Sequence, residues 1–210
     1  MTNRIMQSNH ELIVEPIGLD VETLARPLDW KGLFGNDHPV ELEIGMGKGT
    51  FITEQARARP GVNFFGIEWA RWFWRSASDR LRRNGCLNAR TVRAEAGFFL
   101  AEFVPEASLS VLHIYFPDPW PKSRHHKRRL IQPKFMPLAQ RVLSPGGRLQ
   151  VVTDHKDYFE QIESTVNGSG LKVIEYNRPG SAGEGEFVGT NFERKYRREG
   201  RPFFAIAAAK

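Results

Sequence analysis

Asp118 has the surroundings of a functional carboxylate, because it follows a short apolar run and lies among prolines at positions 117, 119 and 121. Residues 111–116 are too few for a buried helix and alternate too little for a half-exposed strand, so they predict a buried central strand. Asp118 would then stand at the carboxyl end of that strand, where open α/β sheets bind ligands. An isolated P-D-P is more often an ordinary strand end in which the acid caps the next turn. The neighbouring segments therefore have to decide between a ligand site and a turn.

A glycine turn at residues 45–49 is a second candidate site. A β-prone run over 40–44 meets glycines at 45, 47 and 49 and then a helix-compatible segment over 51–59, which predicts strand, turn and helix. Gly45 and Gly47 would let the backbone approach a nucleotide-like ligand, although such turns without a ligand are also common. The G-x-G-x-G spacing differs from the G-x-G-x-x-G of dinucleotide-binding folds, which disfavours a pyrophosphate. Glu43, just before the turn, would repel a diphosphate and suits a cationic amino group or sulfonium.

Three more acids end predicted strands. Glu68 ends a strand beginning at residue 63 and is placed to accept hydrogen bonds from both ribose hydroxyls of an adenosine. Glu95 ends a strand over 89–95, where it could bind an adenine amino group but could equally cap a helix or lie at the surface. Asp154 ends a strand over 148–154. Nicotinamide and adenosylmethionine sites share this arrangement of a glycine turn and a second-strand acid.

The elements that would position these acids alternate along the chain. Helices are predicted over 71–84, 133–143 and 156–166, with further strands over 171–176 and the last seven or eight residues. This alternation predicts an α/β fold with a parallel sheet and helices on both faces. Residues 1–36 are interpreted as an N-terminal arm and residues 37–210 as a single domain. Trp72, Phe73 and Trp74 could stack on bases, but aromatics at helical spacing more often belong to the core.

Composition restricts the class of protein. A chain of 210 residues with 40% hydrophobic content suits one sizeable domain. No window approaches the roughly 20 apolar residues of a membrane span, and residues 1–10 lack the apolar core of a secretory signal, so we expect a soluble cytoplasmic protein. One cysteine, Cys86, and six scattered histidines offer no zinc-ligand spacing, so no metal is expected.

Positive charge is concentrated in one segment. Lysine and arginine exceed aspartate and glutamate by 30 − 24 = 6, and residues 119–153 contain eight basic residues and no acid. Such a stripe is typical of a protein that binds a polyanion, because lysine and arginine on phosphates release condensed counterions. A solvated helix face is the alternative. The phosphate-contact candidates are Arg124, Lys127, Arg128 and Arg129.

The glycine turn, the acid ending the second strand and P-D-P-W-P-K ending the fourth together resemble the class I adenosylmethionine-dependent methyltransferases. The sequence F-P-D-P-W-P-K-S-R-H-H-K-R-R-L over 116–130 is similar to the signature of the bacterial tRNA (guanine-N7-)-methyltransferase family, and T-N-F-E over 190–193 matches its C-terminal T-x-F-E motif. The similarity extends over roughly residues 25–205. It implies a Rossmann-like fold with a mostly parallel seven-stranded sheet and an antiparallel C-terminal strand. It also implies S-adenosylmethionine as methyl donor, S-adenosylhomocysteine as product and tRNA as substrate.

Carried over position by position, the resemblance assigns two sets of residues. The adenosylmethionine site takes Glu43, Glu68, Glu95 and Asp118, beside Gly45 and Gly47 of the turn, and Asp118 is also the expected catalytic residue. The RNA substrate takes Lys122, Asp154, Thr190, Asn191, Phe192 and Glu193. Two positions depart from the family pattern. Glu95 stands where Asp or Asn is usual, which lengthens the reach to adenine, and Ser123 replaces a lysine, which removes one phosphate contact.

Guanine N7 has a lone pair and no proton, so methyl transfer to it needs no general base and positioning should dominate. A carboxylate can accept hydrogen bonds from guanine N1–H and N2–H together, and Asp118 and Asp154 both suit that role. Our hypothesis is that Asp118 orients the base rather than removing a proton. Family membership implies the variable-loop guanosine at tRNA position 46. We expect no obligatory protein subunit, and monomer and homodimer both stay open. Alternatives of another class are a nicotinamide-dependent oxidoreductase and a non-catalytic RNA-binding protein.

Overall fold

The computed structural model describes residues 11–180 and 182–210, with only the backbone of Asn191. These residues form one sheet of eight strands in the order β1-β4-β3-β2-β5-β6-β8-β7. The strands are β1 (Gly18–Leu19), β2 (Val40–Ile44), β3 (Asn63–Glu68), β4 (Ala89–Arg93), β5 (Leu109–Tyr115), β6 (Leu143–Thr153), β7 (Lys172–Ile174) and β8 (Phe204–Ala209). Strands β1 to β6 pair in parallel, and β8 lies antiparallel between β6 and β7. The carboxyl ends of β2 to β6 therefore meet along one edge, which is called the carboxyl edge below.

Helices cover both faces of the sheet. They are α1 (Trp30–Phe34), α2 (Thr50–Ala58), α3 (Arg71–Arg83), α4 (Ala96–Glu102), α5 (Met136–Val142), α6 (Lys156–Asn167) and α7 (Asn191–Arg198). Side chains of α4, α5 and α6 form the larger core on one face, and those of α2 and α3 form a second core on the other. Strand β3 illustrates why the central strands are continuously apolar, since Phe64 belongs to one core and its neighbour Phe65 to the other.

The predicted α/β fold with an antiparallel C-terminal strand is confirmed, with one strand more than expected. Gly18 pairs with Thr91, so β1 extends the sheet beside β4. Ile17 and Leu28 are buried, which packs part of the segment interpreted as an N-terminal arm against the domain. The first ten residues of that arm lie outside the described residues. A strand of two residues has no periodicity to read, which is why the pattern missed it.

Strand β6 begins at Leu143, earlier than the predicted start at residue 148. It includes the S-P-G-G sequence over 144–147, whose residue types favour a turn. Leu109 of β5 pairs with Leu143, and Gly146 donates a backbone hydrogen bond to Lys210 at 3.1 Å. Pairing on both sides thus overrides the local turn signal. Among the described residues, no helix has the length and hydropathy that a bilayer span requires.

Candidate active site at the carboxyl edge

The glycine turn connects β2 to α2 at the centre of the carboxyl edge. Gly45, Gly47 and Gly49 have φ of 75°, 53° and 69°, the left-handed region that favours glycine. Gly49 is fixed by packing as well, because a Cβ there would lie 2.8 Å from the Cβ of Ala77 in α3. The turn is therefore held close against α3, with its backbone open towards the edge.

Glu43 lies beneath the glycine turn as a buried carboxylate without a cation. It is 5% exposed, and its Oε2 atom has no hydrogen-bond partner among the described residues. Burial, together with the nearby charge of Glu68, raises the pKa of Glu43 from 4.5 to about 8, although a backbone hydrogen bond from Ile52 opposes the shift. A buried unpaired acid is costly unless a ligand compensates it, so this site fits a cationic group.

Glu41, two residues earlier on the same face of β2, is the opposite case. Arg59 contacts both of its carboxylate oxygens at 2.7 Å, and His113 Nε2 lies 2.9 Å from Oε2. Burial alone would raise the pKa of Glu41, but the hydrogen bonds and charges of His113 and Arg59 outweigh it and lower the pKa to about 2. Among the described residues, cations thus neutralise one of these two buried acids and leave the other without a compensating charge.

Glu68 connects the glycine turn to the start of α3. Its Oε2 accepts a hydrogen bond from the Gly47 amide at 3.0 Å, and its Oε1 accepts one from the Ala70 amide at 2.8 Å. Each carboxylate oxygen has a second lone pair, so Glu68 can still accept from a pair of ribose hydroxyls. The ribose-binding role expected from the sequence stays a prediction.

Glu95 occupies the helix-cap position that the sequence left open. Its carboxylate accepts hydrogen bonds from the Gly97 and Phe98 amides, at 3.0 Å and 2.6 Å, and so caps α4. An adenine amino group would have to use the remaining lone pairs of this exposed side chain.

The proline loop over residues 116–121 presents Asp118 between two strained residues. Phe116 and Trp120 have positive φ of 51° and 44°, each at a cost of about 1 kcal/mol for a bulky residue. The Phe116 amide is held by the Val152 carbonyl at 2.7 Å. Asp118 is exposed and makes no hydrogen bond or ion pair with any described residue. Its carboxylate is therefore available to a ligand.

Asp154, at the end of β6, is engaged by an arginine that the sequence did not point to. Arg201 Nη1 lies 2.8 Å from Asp154 Oδ2, and its Nη2 lies 2.8 Å from Glu199 Oε2. The guanidinium also lies 4.0 Å from the ring centroid of Tyr196, which packs against Phe116. No local signal could have paired Arg201 with an acid 47 residues away, because the pairing depends on where α7 ends.

The T-N-F-E segment lies beside the glycine turn. Thr190 accepts a hydrogen bond from the Glu193 amide and caps α7. The Phe192 ring, 44% exposed, lies 3.4 Å from the point that a Cβ on Gly47 would occupy. The Glu193 carboxylate is fully buried and accepts from the amides of Phe187, Val188 and Gly189, at 2.5, 2.9 and 2.9 Å. The expectation that Glu193 contacts RNA is therefore corrected, since its carboxylate anchors the loop before α7.

The basic run divides into exposed and buried residues. Lys122, Arg124, Lys127 and Arg128 are exposed, and the Arg128 guanidinium lies 4.9 Å from the Trp120 ring centroid. Arg129 is buried instead. It donates to the Pro119 carbonyl and to Gln161, each at 2.8 Å, and contacts Asp157. Its expected phosphate contact is wrong, because these bonds connect the proline loop to α6.

Comparison with known proteins shows which family this chain resembles. The profile of a family described as "Putative methyltransferase" matches residues 37–206. A Geobacter metallireducens protein is 40% identical over 74% of each chain, and a Myxococcus xanthus protein is 35% identical over 97% of this chain and 98% of its own. Both are named tRNA (guanine-N(7)-)-methyltransferase.

Solved structures support the fold alone. A SAM dependent methyltransferase from Aquifex aeolicus has a TM-score of 0.56 at 12% identity, covering 84% of this chain and 85% of its own. An antibiotic related methyltransferase has a TM-score of 0.61 at 16% identity, covering 84% and 90%. With the matched profile and the full-length relative, these findings show that the protein belongs to the tRNA (guanine-N(7)-)-methyltransferase family of S-adenosylmethionine-dependent enzymes.

Proposed function

We propose that this protein transfers the methyl group of S-adenosylmethionine to N7 of guanine in tRNA, at the variable-loop guanosine of tRNA position 46. The products would be 7-methylguanosine and S-adenosylhomocysteine. The observation that carries this proposal is the uncompensated Glu43 carboxylate beneath the glycine turn, on a strand adjacent to the one that presents the free Asp118. One site suits a cationic nucleoside and the other suits a base.

The methyl-donor side rests on Glu43 and Glu68. When bound, S-adenosylmethionine supplies an electrophilic methyl group on a sulfonium, and its amino group adds a second cation. Glu43 offers a negative charge that no cation among the described residues compensates, whereas Glu41 already has Arg59. A nicotinamide dinucleotide would instead bring a diphosphate towards Glu43, whose ionised form would repel it. Glu68 is placed for the ribose.

The base side rests on Asp118 and Asp154, at the ends of neighbouring strands. Guanine N7 attacks without losing a proton, so the chain needs to align N7 with the methyl group and to exclude bases without N1–H and N2–H donors. Asp118 is free to accept those donors and to offset the positive charge that develops on the methylated ring. Arg201 holds Asp154, and its guanidinium presents N–H donors to the carboxylate as guanine would. We therefore assign the reacting guanine to Asp118 first and give Asp154 a supporting role.

The RNA backbone would be bound by the exposed part of the basic run. Lys122, Arg124, Lys127 and Arg128 lie directly after the proline loop, so phosphates that contact them would bring a base to Asp118. Shape and phosphate contacts dominate the recognition of folded RNA, and a base splayed from its loop is read on its edges. Among the described side chains of the T-N-F-E segment, Phe192 is the exposed one.

Methyl transfer to an unmodified tRNA transcript, followed by nucleoside analysis, tests the proposal. The expected product is 7-methylguanosine at position 46, and a transcript with adenine at that position should accept no methyl group. Methylation of any other nucleoside, or equal transfer to both transcripts, would contradict it. In parallel, S-adenosylhomocysteine should raise the unfolding temperature and NAD should leave it unchanged; stabilisation by NAD alone would favour an oxidoreductase.

A further inference from the structure

Two indole side chains at the junction of β3 and α3, one in the connection and one in the first turn of α3, remain outside the core. Trp69 is 65% exposed and Trp72 is 58% exposed. The sequence favoured a core position for Trp72, because aromatics at helical spacing usually pack inward. Instead, Phe73 and Trp74 are half-buried, and Trp72 faces solvent. Exposed tryptophans beside a ligand-binding edge mark an interaction surface, since soluble domains expose few large aromatic groups together.

This surface is held in place rather than loosely exposed. Trp72 meets Phe73 edge to face at 5.2 Å between ring centroids, and Lys48 Nζ of the glycine turn lies 5.4 Å from the Trp72 ring centroid. The Arg93 guanidinium lies 5.5 Å from the Trp69 ring centroid, and its Nε donates to the Trp69 carbonyl at 3.2 Å. Both indoles therefore present fixed faces, which lowers the entropy cost of stacking a ligand on them.

The charge around Trp72 fits a nucleotide. Trp72 forms one wall of a surface depression of about 410 Å³, whose other walls are Glu11, Leu12, Arg71 and Arg75. That volume lies in the range of small-ligand pockets. Among the described residues, three cations, with Lys48, surround the indole against one acid. An aromatic face among cations accepts a base and its phosphate, and it does so without sequence preference.

The strand order places this surface across the site from the basic run. Trp72 follows β3, which lies on one side of β2, whereas the run of exposed lysine and arginine follows β5, on the other side. An RNA that spans the carboxyl edge would meet both surfaces. We propose that Trp72, with Lys48, forms a stacking platform for an unpaired nucleotide of the RNA substrate, separate from the reacting guanine and from the cofactor. This inference rests on the proposed RNA substrate.

Binding measurements with Trp72→Ala, Trp72→Phe and Leu87→Ala test the platform. Leu87 is the matched control because it is 74% exposed and lies after α3, away from the carboxyl edge. Dissociation constants for tRNA and for S-adenosylhomocysteine are measured separately at one salt concentration. Trp72→Ala should weaken tRNA binding about 5- to 100-fold, in line with the loss of one stacked base. Trp72→Phe should retain most of the affinity, and Leu87→Ala should match the wild type.

Affinity for S-adenosylhomocysteine, which also reports folding, should stay unchanged in all three variants. An equal loss of S-adenosylhomocysteine affinity in Trp72→Ala would place the indole in the cofactor site and overturn the platform. Unchanged tRNA affinity would overturn it as well. A single-stranded oligonucleotide should be affected by Trp72→Ala and a blunt RNA duplex should not; equal effects would exclude stacking. Since binding is measured without methyl transfer, failure of the proposed reaction would appear separately, in the nucleoside analysis of the wild type.

Discussion

Replacing Glu43 with Gln should stabilise the ligand-free protein above neutral pH and weaken cofactor binding. The carboxylate is buried with one oxygen unpaired, and its pKa is raised from 4.5 to about 8. A neutral amide of nearly the same shape removes the charge that burial disfavours. It also removes the negative charge that Glu43 can offer a cationic ligand. Replacing a side chain that served folding alone would not raise the stability of the ligand-free protein and lower its affinity for the cofactor at the same time.

The magnitude follows from proton linkage. Because the folded pKa lies above the unfolded value, the folded protein retains a proton that the unfolded chain loses between pH 4.5 and about 8. The stability that Glu43 contributes is therefore complete below pH 4.5 and falls as the pH rises towards 8. At about 1.36 kcal/mol per pH unit, the difference in unfolding free energy between Glu43→Gln and the wild type should grow by roughly 2 to 3 kcal/mol between pH 6 and pH 8.5.

Urea unfolding at pH 6 and pH 8.5, without ligand, measures this difference, and Glu41→Gln is the matched control on the same strand. Glu41 is ion-paired with Arg59, so its replacement should destabilise the protein by roughly 2 to 4 kcal/mol at both pH values. Calorimetric titration at pH 7.5 should show S-adenosylhomocysteine binding weakened about 10- to 100-fold by Glu43→Gln, as for loss of a charged hydrogen bond. The reasoning fails if Glu43→Gln follows the wild-type pH dependence, or if it binds the ligand as tightly.

Three further predictions concern the base and RNA sites. Asp118→Asn should lower the single-turnover methylation rate about 100-fold or more, because an amide cannot accept both guanine donors or offset the developing charge; a rate within a few-fold of the wild type would contradict that role. Arg128→Ala should weaken tRNA binding and reduce the slope of log K against log salt by about 1. Arg129→Ala should instead lower the urea midpoint of unfolding and leave that slope unchanged. Equal salt slopes in the two variants would contradict the exposed position of Arg128 and the buried position of Arg129. Arg201→Ala and Asp154→Ala remove the same ion pair, so the rate loss of the double variant should be smaller than the sum of the two single losses. A simply additive loss would exclude a catalytic role for that ion pair.

The sequence predicts the frame of the site because that frame is built from local signals. The run over 40–44, three glycines and a helix-compatible segment recur in the structure as β2, the glycine turn and α2. Acids predicted at strand ends lie along the carboxyl edge, since parallel strands bring those ends together. Helix α6 matches its predicted span within a residue, and α5 starts three residues later than expected.

Sequence could not predict which of these acids and cations is free. Arg129 and Arg128 are adjacent in a basic run, yet only the first meets Gln161 and Asp157, about 30 residues further on. Glu193 belongs to a motif expected to contact RNA, but the backbone of residues 187–189 surrounds it. These outcomes depend on how loops fold back on the sheet. Residue type and spacing do not predict that packing.

Helix α7 explains how the T-N-F-E motif, 70 residues beyond the proline loop, contributes to the same site. Its first turn places Phe192 over Gly47, on the cofactor side. Tyr196 packs on Phe116, the strained residue that opens the proline loop, and the chain leaving the helix brings Arg201 to Asp154. Helix α7 and the residues that follow it thus contact the glycine turn, the proline loop and Asp154. The buried carboxylate of Glu193 fixes the loop that leads into α7, and Val188 of that loop packs in one cluster with Tyr115 of β5 and Val152 of β6. Contacts within the protein therefore position α7. The helix can therefore hold the turn proposed to bind the cofactor and the carboxylates proposed to bind the base in one geometry, as an in-line transfer without a general base requires.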